Sequence, residues 1–175
     1  METIKTIEQL AHNLNLGPGY GGYDELIKAV DLSSEELQKV QRFSDEQYQR
    51  LRLYDTDVIE AVLTCWNPTQ VGKIHNFHHS LGWFKVLQGS LALERFSFDE
   101  EGLPVSKLSR EIKEGEWGFL NDDLGFHRFE NKGPQKAITL FLYADKIKDW
   151  DVYNPTTQRV ERIPASVHHN FDPEE

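Results

Sequence analysis

Histidines are concentrated in one short segment of the chain and recur singly in another. His75, His78 and His79 lie almost side by side, and His127 stands alone much further along. Histidine is the commonest side-chain metal ligand, and its neutral imidazole suits transition metals. In an extended strand, residues 75 and 79 share one face, whereas residue 78 points to the other. The spacing therefore indicates a metal site that could combine His75, His79 and His127, with solvated loop histidines as the alternative.

The segment YQRLRLY has a tyrosine and two arginines at every second position. Alternation in a strand places Tyr48, Arg50 and Arg52 on one face and the leucines on the other. If that face lines a pocket, either arginine could bind a carboxylate through two parallel hydrogen bonds. The alternative is a solvated strand face whose arginines pair with the abundant acidic residues. The sequence leaves this choice open.

Tyr143 ends the apolar run TLFLY and shares a strand face with Thr139 and Phe141. A phenol beside a metal could donate a hydrogen bond or a proton, although Tyr143 could equally be an ordinary strand tyrosine. The sequence contains no GxSxG, P-loop or HExxH motif, and its GxGxxG run, GPGYGG at residues 17–22, lies outside any predicted βαβ unit. Serine-hydrolase, nucleotide-binding and zincin chemistry is therefore not indicated.

The elements that must position these residues change in type along the chain. Residues 1–47 have apolar positions at helical spacing, and Ser33 with Glu36 predicts a capping box that opens a short helix. From Tyr48 onward, short β-rich runs alternate with turns such as NPT, DEEGLP and NKGP. This density favours an antiparallel barrel or sandwich over parallel βαβ units. We predict a single domain, residues 1–175, with a helical region 1–47, a β-barrel 48–165 and a loose C-terminal tail 166–175.

Charge and composition exclude several classes of partner. The chain has 19 basic and 29 acidic side chains and a net charge of -10, which repels a phosphate backbone. No run reaches the ~18–20 apolar residues of a membrane helix, and the N-terminus lacks the apolar segment of a signal peptide. We therefore expect a cytoplasmic monomer that binds neither nucleic acid nor membrane. Cys65, the single cysteine, lies in the apolar run VLTCW and is expected to be a buried structural thiol.

Four of these segments, taken together, resemble the cysteine dioxygenase family of thiol dioxygenases. In chain order they are YQRLRLYDTDVIEAVLTCW, IHNFHHSLGWFKVLQGSL, LGFHRFEN and ITLFLY. The resemblance implies an all-β dominated fold, a cupin-type antiparallel β-barrel (jelly roll) with a small N-terminal helical region. It also implies an Fe(II) cofactor held by three histidines, with a small thiol and O2 as substrates and a sulfinate as product.

The resemblance also assigns roles to residues at matching positions. His75 and His127 match iron ligands, Arg50 matches the arginine that binds the substrate carboxylate, and Tyr143 matches the active-site phenol. Tyr48 falls at a pocket position of the family. Its distance from Arg50 keeps the family's Tyr-x-Arg spacing, which favours Arg50 over the second arginine of the segment.

Three positions depart from the family pattern. Phe77 stands where the second ligand of the His-x-His motif is expected, and Phe141 replaces a histidine that often supports the tyrosine. Family enzymes often carry a cysteine cross-linked to that tyrosine, but the matching residue is Gly82. Tyr143 is therefore expected to be uncrosslinked.

The departure at Phe77 leaves three arrangements open. His79, or less favourably His78, could replace the missing ligand; two histidines could bind metal with water or substrate; or iron chemistry could be lost. The resemblance implies an Fe(II)-dependent thiol dioxygenase acting on a small carboxylate-bearing thiol such as L-cysteine. The alternatives are a diverged cupin that only binds a small molecule, or one that catalyses a different metal-dependent reaction.

Overall fold

The computed structural model describes residues 1–77 and 80–172. Its helices are α1 (Ile7–Leu16), α2 (Gly22–Ala29) and α3 (Ser34–Val40). Its strands are β1 (Gln49–Asp55), β2 (Ile59–Trp66), β3 (His75–Asn76), β4 (Leu81–Gln88), β5 (Ser90–Phe98), β6 (Pro104–Lys113), β7 (Trp117–Leu120), β8 (Phe126–Glu130), β9 (Ala137–Ala144), β10 (Asp149–Asn154), β11 (Arg159–Pro164) and β12 (His169–Asn170). Within the described ranges, every helix is too short or too polar to cross a membrane.

Side-chain caps set where two of the helices begin. Thr6 Oγ1 accepts from the Gln9 N–H at 3.1 Å, and Gln9 Oε1 accepts from the Thr6 N–H at 3.3 Å, which forms a capping box at α1. The capping box predicted at α3 is only half correct. Ser33 does cap the Glu36 N–H at 3.3 Å, but the Glu36 carboxylate accepts from the Ile7 N–H at 2.9 Å instead. Glu36 therefore links α3 to the start of α1.

The strands form two six-stranded sheets in a jelly roll. The first sheet has the order β12-β1-β2-β9-β4-β7, and the second has the order β11-β10-β3-β8-β5-β6. The pairs are antiparallel except for β1 with β12. The predicted jelly roll with an N-terminal helical region is confirmed. The two sheets are not closed into a continuous barrel, because no strand of the described residues pairs with both.

The first sheet buries a different set of side chains on each face. Leu51 and Leu53 of β1 pack with the helices in one core cluster, as strand alternation predicts. The opposite face of the sheet contributes Phe84 and Phe141 to a second cluster, where both rings contact Phe129 of the second sheet. The space between the two sheets is therefore lined by aromatic rings. The predicted site residues lie in this same space.

The C-terminal segment pairs with β1. The His168 N–H donates to the Arg50 carbonyl oxygen and the Phe171 N–H donates to the Arg52 carbonyl oxygen, both at 2.9 Å. These bonds flank the short parallel strand β12. The expectation of a loose tail is therefore wrong for the described part of this segment, because its backbone completes the edge of the first sheet.

Candidate active site

His75 and His127 face each other on neighbouring strands. They are register partners on β3 and β8, and their ring centroids lie 4.4 Å apart. His75 Nδ1 donates to the Lys73 carbonyl oxygen at 2.7 Å, which leaves the lone pair of Nε2 free. The His127 side chain is buried, and neither ring nitrogen has a hydrogen-bond partner among the described residues. An unpartnered buried polar group costs about 1–3 kcal/mol, so a ligand that binds these nitrogens would recover this free energy.

Both imidazoles are held in the neutral form. His75 is partly exposed to the cavity described below, yet burial lowers its pKa to about 4, against the opposing effect of the Lys73 carbonyl. Burial, reinforced by His75, lowers the pKa of His127 well below its usual value. Neutral imidazole is the form that binds metals. The pair is therefore in the protonation state that coordination requires.

Phe77 fills the space beside the two histidines. Its ring centroid lies 5.8 Å from that of His75, 4.8 Å from that of His127 and 5.4 Å from that of Tyr143. Gly82 is the register partner of Tyr143 across β4 and β9, and a Cβ at position 82 would come 2.7 Å from Phe77 Cε2. The missing side chain at position 82 therefore gives the phenyl ring its room. Phe77 offers no lone pair to a metal.

Among the described residues, His75 and His127 are the two side chains at this place that could bind a metal. Within residues 1–77 and 80–172, no group of three or more His, Cys, Asp or Glu side chains is arranged to hold a metal. The predicted substitute ligand His79 and the less favoured His78 lie outside the described residues. The free lone pair of His75 and the unpartnered nitrogens of His127 fit a metal ion held through two imidazoles. Its remaining coordination positions are then available to other donors.

Arg50 and Tyr143 lie together beside the histidine pair. Arg50 Nη1 donates to the Ser166 carbonyl oxygen, and its guanidinium carbon lies 4.6 Å from the centroid of the Trp150 ring. Tyr143 is buried and hydrogen-bonded to Arg50. Burial raises the pKa of Tyr143 above its usual value, although Arg50 acts in the opposite sense. The phenol therefore keeps its proton at neutral pH and can donate it in a hydrogen bond.

These side chains border a cavity of about 130 Å³ between the sheets. Arg50 and Lys73 are the cations in its wall, and none of the acidic residues that the structure describes lines it. The aromatic residues in the wall are Tyr48, Trp66, Phe129, Phe141, Tyr143 and Trp150. This combination suits a small ligand with an anionic group and an apolar part.

The structure brings most of the predicted site residues together. His75, Arg50, Tyr48 and Tyr143 line the cavity, and His127 lies directly behind His75. Tyr48 stacks on the Trp66 ring at a centroid distance of 4.6 Å. The preference for Arg50 over the second arginine agrees with this arrangement, because that arginine does not line the cavity and its Nε donates to the Glu60 carboxylate at 2.7 Å.

Three cavity residues that contact Arg50 were not found from the sequence. Trp150 comes from β10, and Ser166 and His168 come from the C-terminal segment. Each reaches the site through strand pairing between residues far apart in the chain, for which the sequence carries no local pattern. The only available signal was the histidine pair in the segment VHHNF.

The fold defines a class, the cupin-like jelly rolls, and in this chain two histidines lie on adjacent strands of one of its sheets. A Klebsiella pneumoniae protein with a double-stranded β-helix domain is similar, with a TM-score of 0.56, 16% identity and coverage of 66% of this chain and 92% of that one. The Schizosaccharomyces pombe Cnp3 cupin domain has a TM-score of 0.51 and 13% identity, with coverage of 63% of this chain and 72% of that one.

The sequence places the chain within one family of this class. The family model described as cysteine dioxygenase type I matches residues 23–155, and the chain belongs to this family. Human cysteine dioxygenase type 1 is 24% identical over 151 residues, which cover 83% of this chain and 75% of the human protein. The resemblance predicted from four sequence segments is thereby confirmed.

Proposed function

We propose that the protein is an Fe(II)-dependent dioxygenase that adds both atoms of O2 to a small carboxylate-bearing thiol such as L-cysteine, giving a sulfinate. The observation that carries this proposal is the neutral His75–His127 pair beside a cavity that Arg50 lines. His75 keeps the lone pair of Nε2 free, and both ring nitrogens of His127 are unpartnered among the described residues. Membership of the cysteine dioxygenase type I family supports the reaction type.

In this proposal His75 and His127 hold the iron. When bound there, iron supplies the chemistry that lowers the pKa of a thiol and allows O2 to react with its sulfur. The hydrogen bond from His75 Nδ1 to the Lys73 carbonyl fixes the tautomer and the ring orientation, so that Nε2 stays available. The net reaction joins one thiol and one O2 into one sulfinic acid, which loses its proton to solvent, and no other oxidant is needed.

Arg50 binds the carboxylate of the substrate. The Trp150 ring against its guanidinium and the Ser166 carbonyl on Nη1 fix the plane of the fork before substrate arrives. A fixed fork loses little side-chain entropy on binding, and it limits the carboxylate to one orientation. The sulfur of a short thiol is then directed towards the histidine pair.

Tyr143 and the surrounding rings complete the site. Tyr143 keeps its proton and can donate a hydrogen bond to a substrate or oxygen atom beside it. Tyr48 stacks on Trp66 and forms part of the cavity wall near Arg50. Phe77 and Phe141 enclose Tyr143, and the Phe141 ring stacks on the Tyr143 ring at a centroid distance of 5.8 Å. The two phenyl rings therefore keep water away from the reacting groups.

A second candidate function follows from the phenyl ring at position 77. Phe77 occupies the space beside His127 and supplies no ligand, so the described residues offer only two histidines to a metal. A protein with this site could bind a small carboxylate through Arg50 without oxidising it, or catalyse another metal-dependent reaction. The binding module and the metal-dependent enzyme differ in iron content, because a protein that only binds a carboxylate needs no iron.

Reconstitution separates these candidates. The full chain is loaded with Fe(II) without oxygen, its bound iron is measured, and O2 uptake is followed after L-cysteine is added. The dioxygenase proposal predicts near-stoichiometric iron and cysteine-dependent uptake with one sulfinate formed per O2. L-Serine, which has a hydroxyl in place of the thiol, serves as the control and should give no uptake. Stoichiometric iron without sulfinate would favour a different metal-dependent reaction, and absence of both would favour the binding module.

A further inference from the structure

The C-terminal segment holds Arg50 through its backbone and its side chain. The Arg50 N–H donates to His168 Nδ1 at 3.0 Å, and the His168 N–H donates back to the Arg50 carbonyl oxygen at 2.9 Å. Arg50 Nη1 also donates to the carbonyl oxygen of Ser166. The residue proposed to bind the substrate carboxylate is thus held by residues more than a hundred positions later in the chain.

These hydrogen bonds define the tautomer of His168. Because Nδ1 accepts a hydrogen bond, it carries no proton, and the proton of the neutral ring lies on Nε2. Burial and the nearby Arg50 charge lower the pKa of His168, so the ring is neutral at pH 7. The ring lines the same cavity as Arg50 and stands edge-on to Tyr48 at a centroid distance of 6.4 Å. His168 therefore carries its N–H donor, Nε2–H, on a ring that borders the cavity.

A second donor beside Arg50 would strengthen carboxylate binding. Part of its donor capacity is used by the Ser166 carbonyl and by Tyr143, so fewer N–H groups remain for a ligand. A carboxylate has two oxygen atoms that accept several hydrogen bonds, and an oxygen left without a donor in a partly buried site weakens binding.

We propose that His168 is a second carboxylate-binding residue of the cavity: its Nε2–H donates to the carboxylate held by Arg50, while its Nδ1 fixes the β1 backbone at that residue. This inference rests on the proposed function in naming the ligand, a small carboxylate. If His168 has this role, the C-terminal segment is part of the binding site and does more than complete the edge of the first sheet.

Two substitutions separate the two nitrogens of His168. His168→Asn keeps an acceptor near the Nδ1 position and removes the Nε2–H, whereas His168→Ala removes both groups. His169→Ala is the matched control, because the His169 ring meets Gln49 Oε1 at 2.9 Å and does not line the cavity. Loss of one hydrogen bond to a charged group corresponds to roughly tenfold weaker binding.

The test is carboxylate binding by the full chain under nitrogen, with and without added Fe(II). Propionate and L-cysteine are the probes, and the fluorescence of the cavity tryptophans Trp66 and Trp150 reports binding. We expect His168→Asn to weaken propionate binding about tenfold without lowering the unfolding temperature. His168→Ala should weaken binding at least as much and also lower that temperature, and His169→Ala should bind as the unsubstituted chain does.

The outcomes keep this inference apart from the proposed function. Propionate binding by His168→Asn that equals that of the unsubstituted chain overturns the role of His168, as does absence of propionate binding by the unsubstituted chain. If propionate binding weakens as expected but no thiol is oxidised, the role of His168 is supported and the dioxygenase proposal fails. If His168→Asn forms sulfinate with an unchanged KM, the inference fails and the dioxygenase proposal stands.

Discussion

The contact between Phe77 and position 82 gives a stability prediction that tests how the site is filled. A Cβ added at Gly82 would lie 2.7 Å from Cε2 and 3.1 Å from Cζ of the Phe77 ring. The ring is 1% exposed and is enclosed by His75, His127 and Tyr143, so it cannot move aside freely. Gly82→Ala should therefore destabilise the protein even though alanine restricts the unfolded chain.

The magnitude follows from two opposing contributions. Overpacking of a well-packed core costs about 1–3 kcal/mol, and a Gly→Ala change in the unfolded chain contributes about 0.4–1 kcal/mol in the opposite direction. The net loss in the free energy of unfolding should lie between about 0 and about 2.6 kcal/mol, with a central value of about 1.3 kcal/mol. In a Phe77→Leu background the clashing ring atoms are absent, so the same Gly82→Ala change should be neutral or stabilising. The double-mutant cycle should give a coupling of about 1–3 kcal/mol.

Urea unfolding followed by tryptophan fluorescence measures all four proteins of this cycle. Gly133→Ala is the control, because a Cβ there meets nothing closer than Asn131 Oδ1 at 3.5 Å. That substitution should leave stability unchanged or slightly raised. A Gly82→Ala effect of the same size in both backgrounds would refute the reasoning, since it would mean that the Phe77 ring does not occupy the space beside position 82.

Three further predictions concern the metal ligands, the proposed substrate arginine and the cysteine. Phe77→His should add a third imidazole and tighten Fe(II) binding by about 10–100-fold or more, measured as a larger Fe(II)-induced rise in unfolding temperature; an equal rise in both proteins would contradict it. Arg50→Lys should raise the KM for a carboxylate-bearing thiol about tenfold with a smaller change in kcat, because lysine lacks the fork that stacks on Trp150. Burial raises the pKa of Cys65 from 9.0 to about 11, so the native thiol should react slowly with iodoacetamide at pH 8. Because the native state holds this proton more tightly than the unfolded state, the stability difference between the unsubstituted protein and Cys65→Ala should fall as pH rises from about 9 to about 11.

Local patterns were sufficient to predict much of the fold. In β1 the alternation of arginine and leucine put Arg50 and Leu51 on opposite faces, because a strand has a period of two, and the structure has Arg50 at the cavity and Leu51 in the core. The choice of Arg50 as the residue that binds the carboxylate came from the family resemblance. The β-rich runs and their turns predicted an antiparallel barrel or sandwich, and the family resemblance specified the jelly roll, but neither predicted that the two sheets stay unjoined. These features depend on neighbouring residues, which the sequence displays directly.

Features that depend on distant residues could not be predicted. Ser33 and Glu36 have capping-box spacing, yet the Glu36 carboxylate binds the Ile7 N–H, which only the packing of α3 on α1 brings close. The pairing of the C-terminal segment with β1 depends in the same way on contacts across most of the chain, and it adds His168 to the cavity. The single-domain, monomeric and cytoplasmic expectations stay predictions, as does the role of His79.

The central claim is that the protein catalyses the transfer of both atoms of O2 to a thiol bound in this cavity. The most direct test supplies heavy-isotope O2 to the Fe(II)-loaded chain with L-cysteine and determines the mass of the product. The account predicts a sulfinate in which both oxygen atoms are labelled, with the yield lost in His127→Ala. A product that is unlabelled or singly labelled, or a disulfide formed without sulfinate, would contradict it.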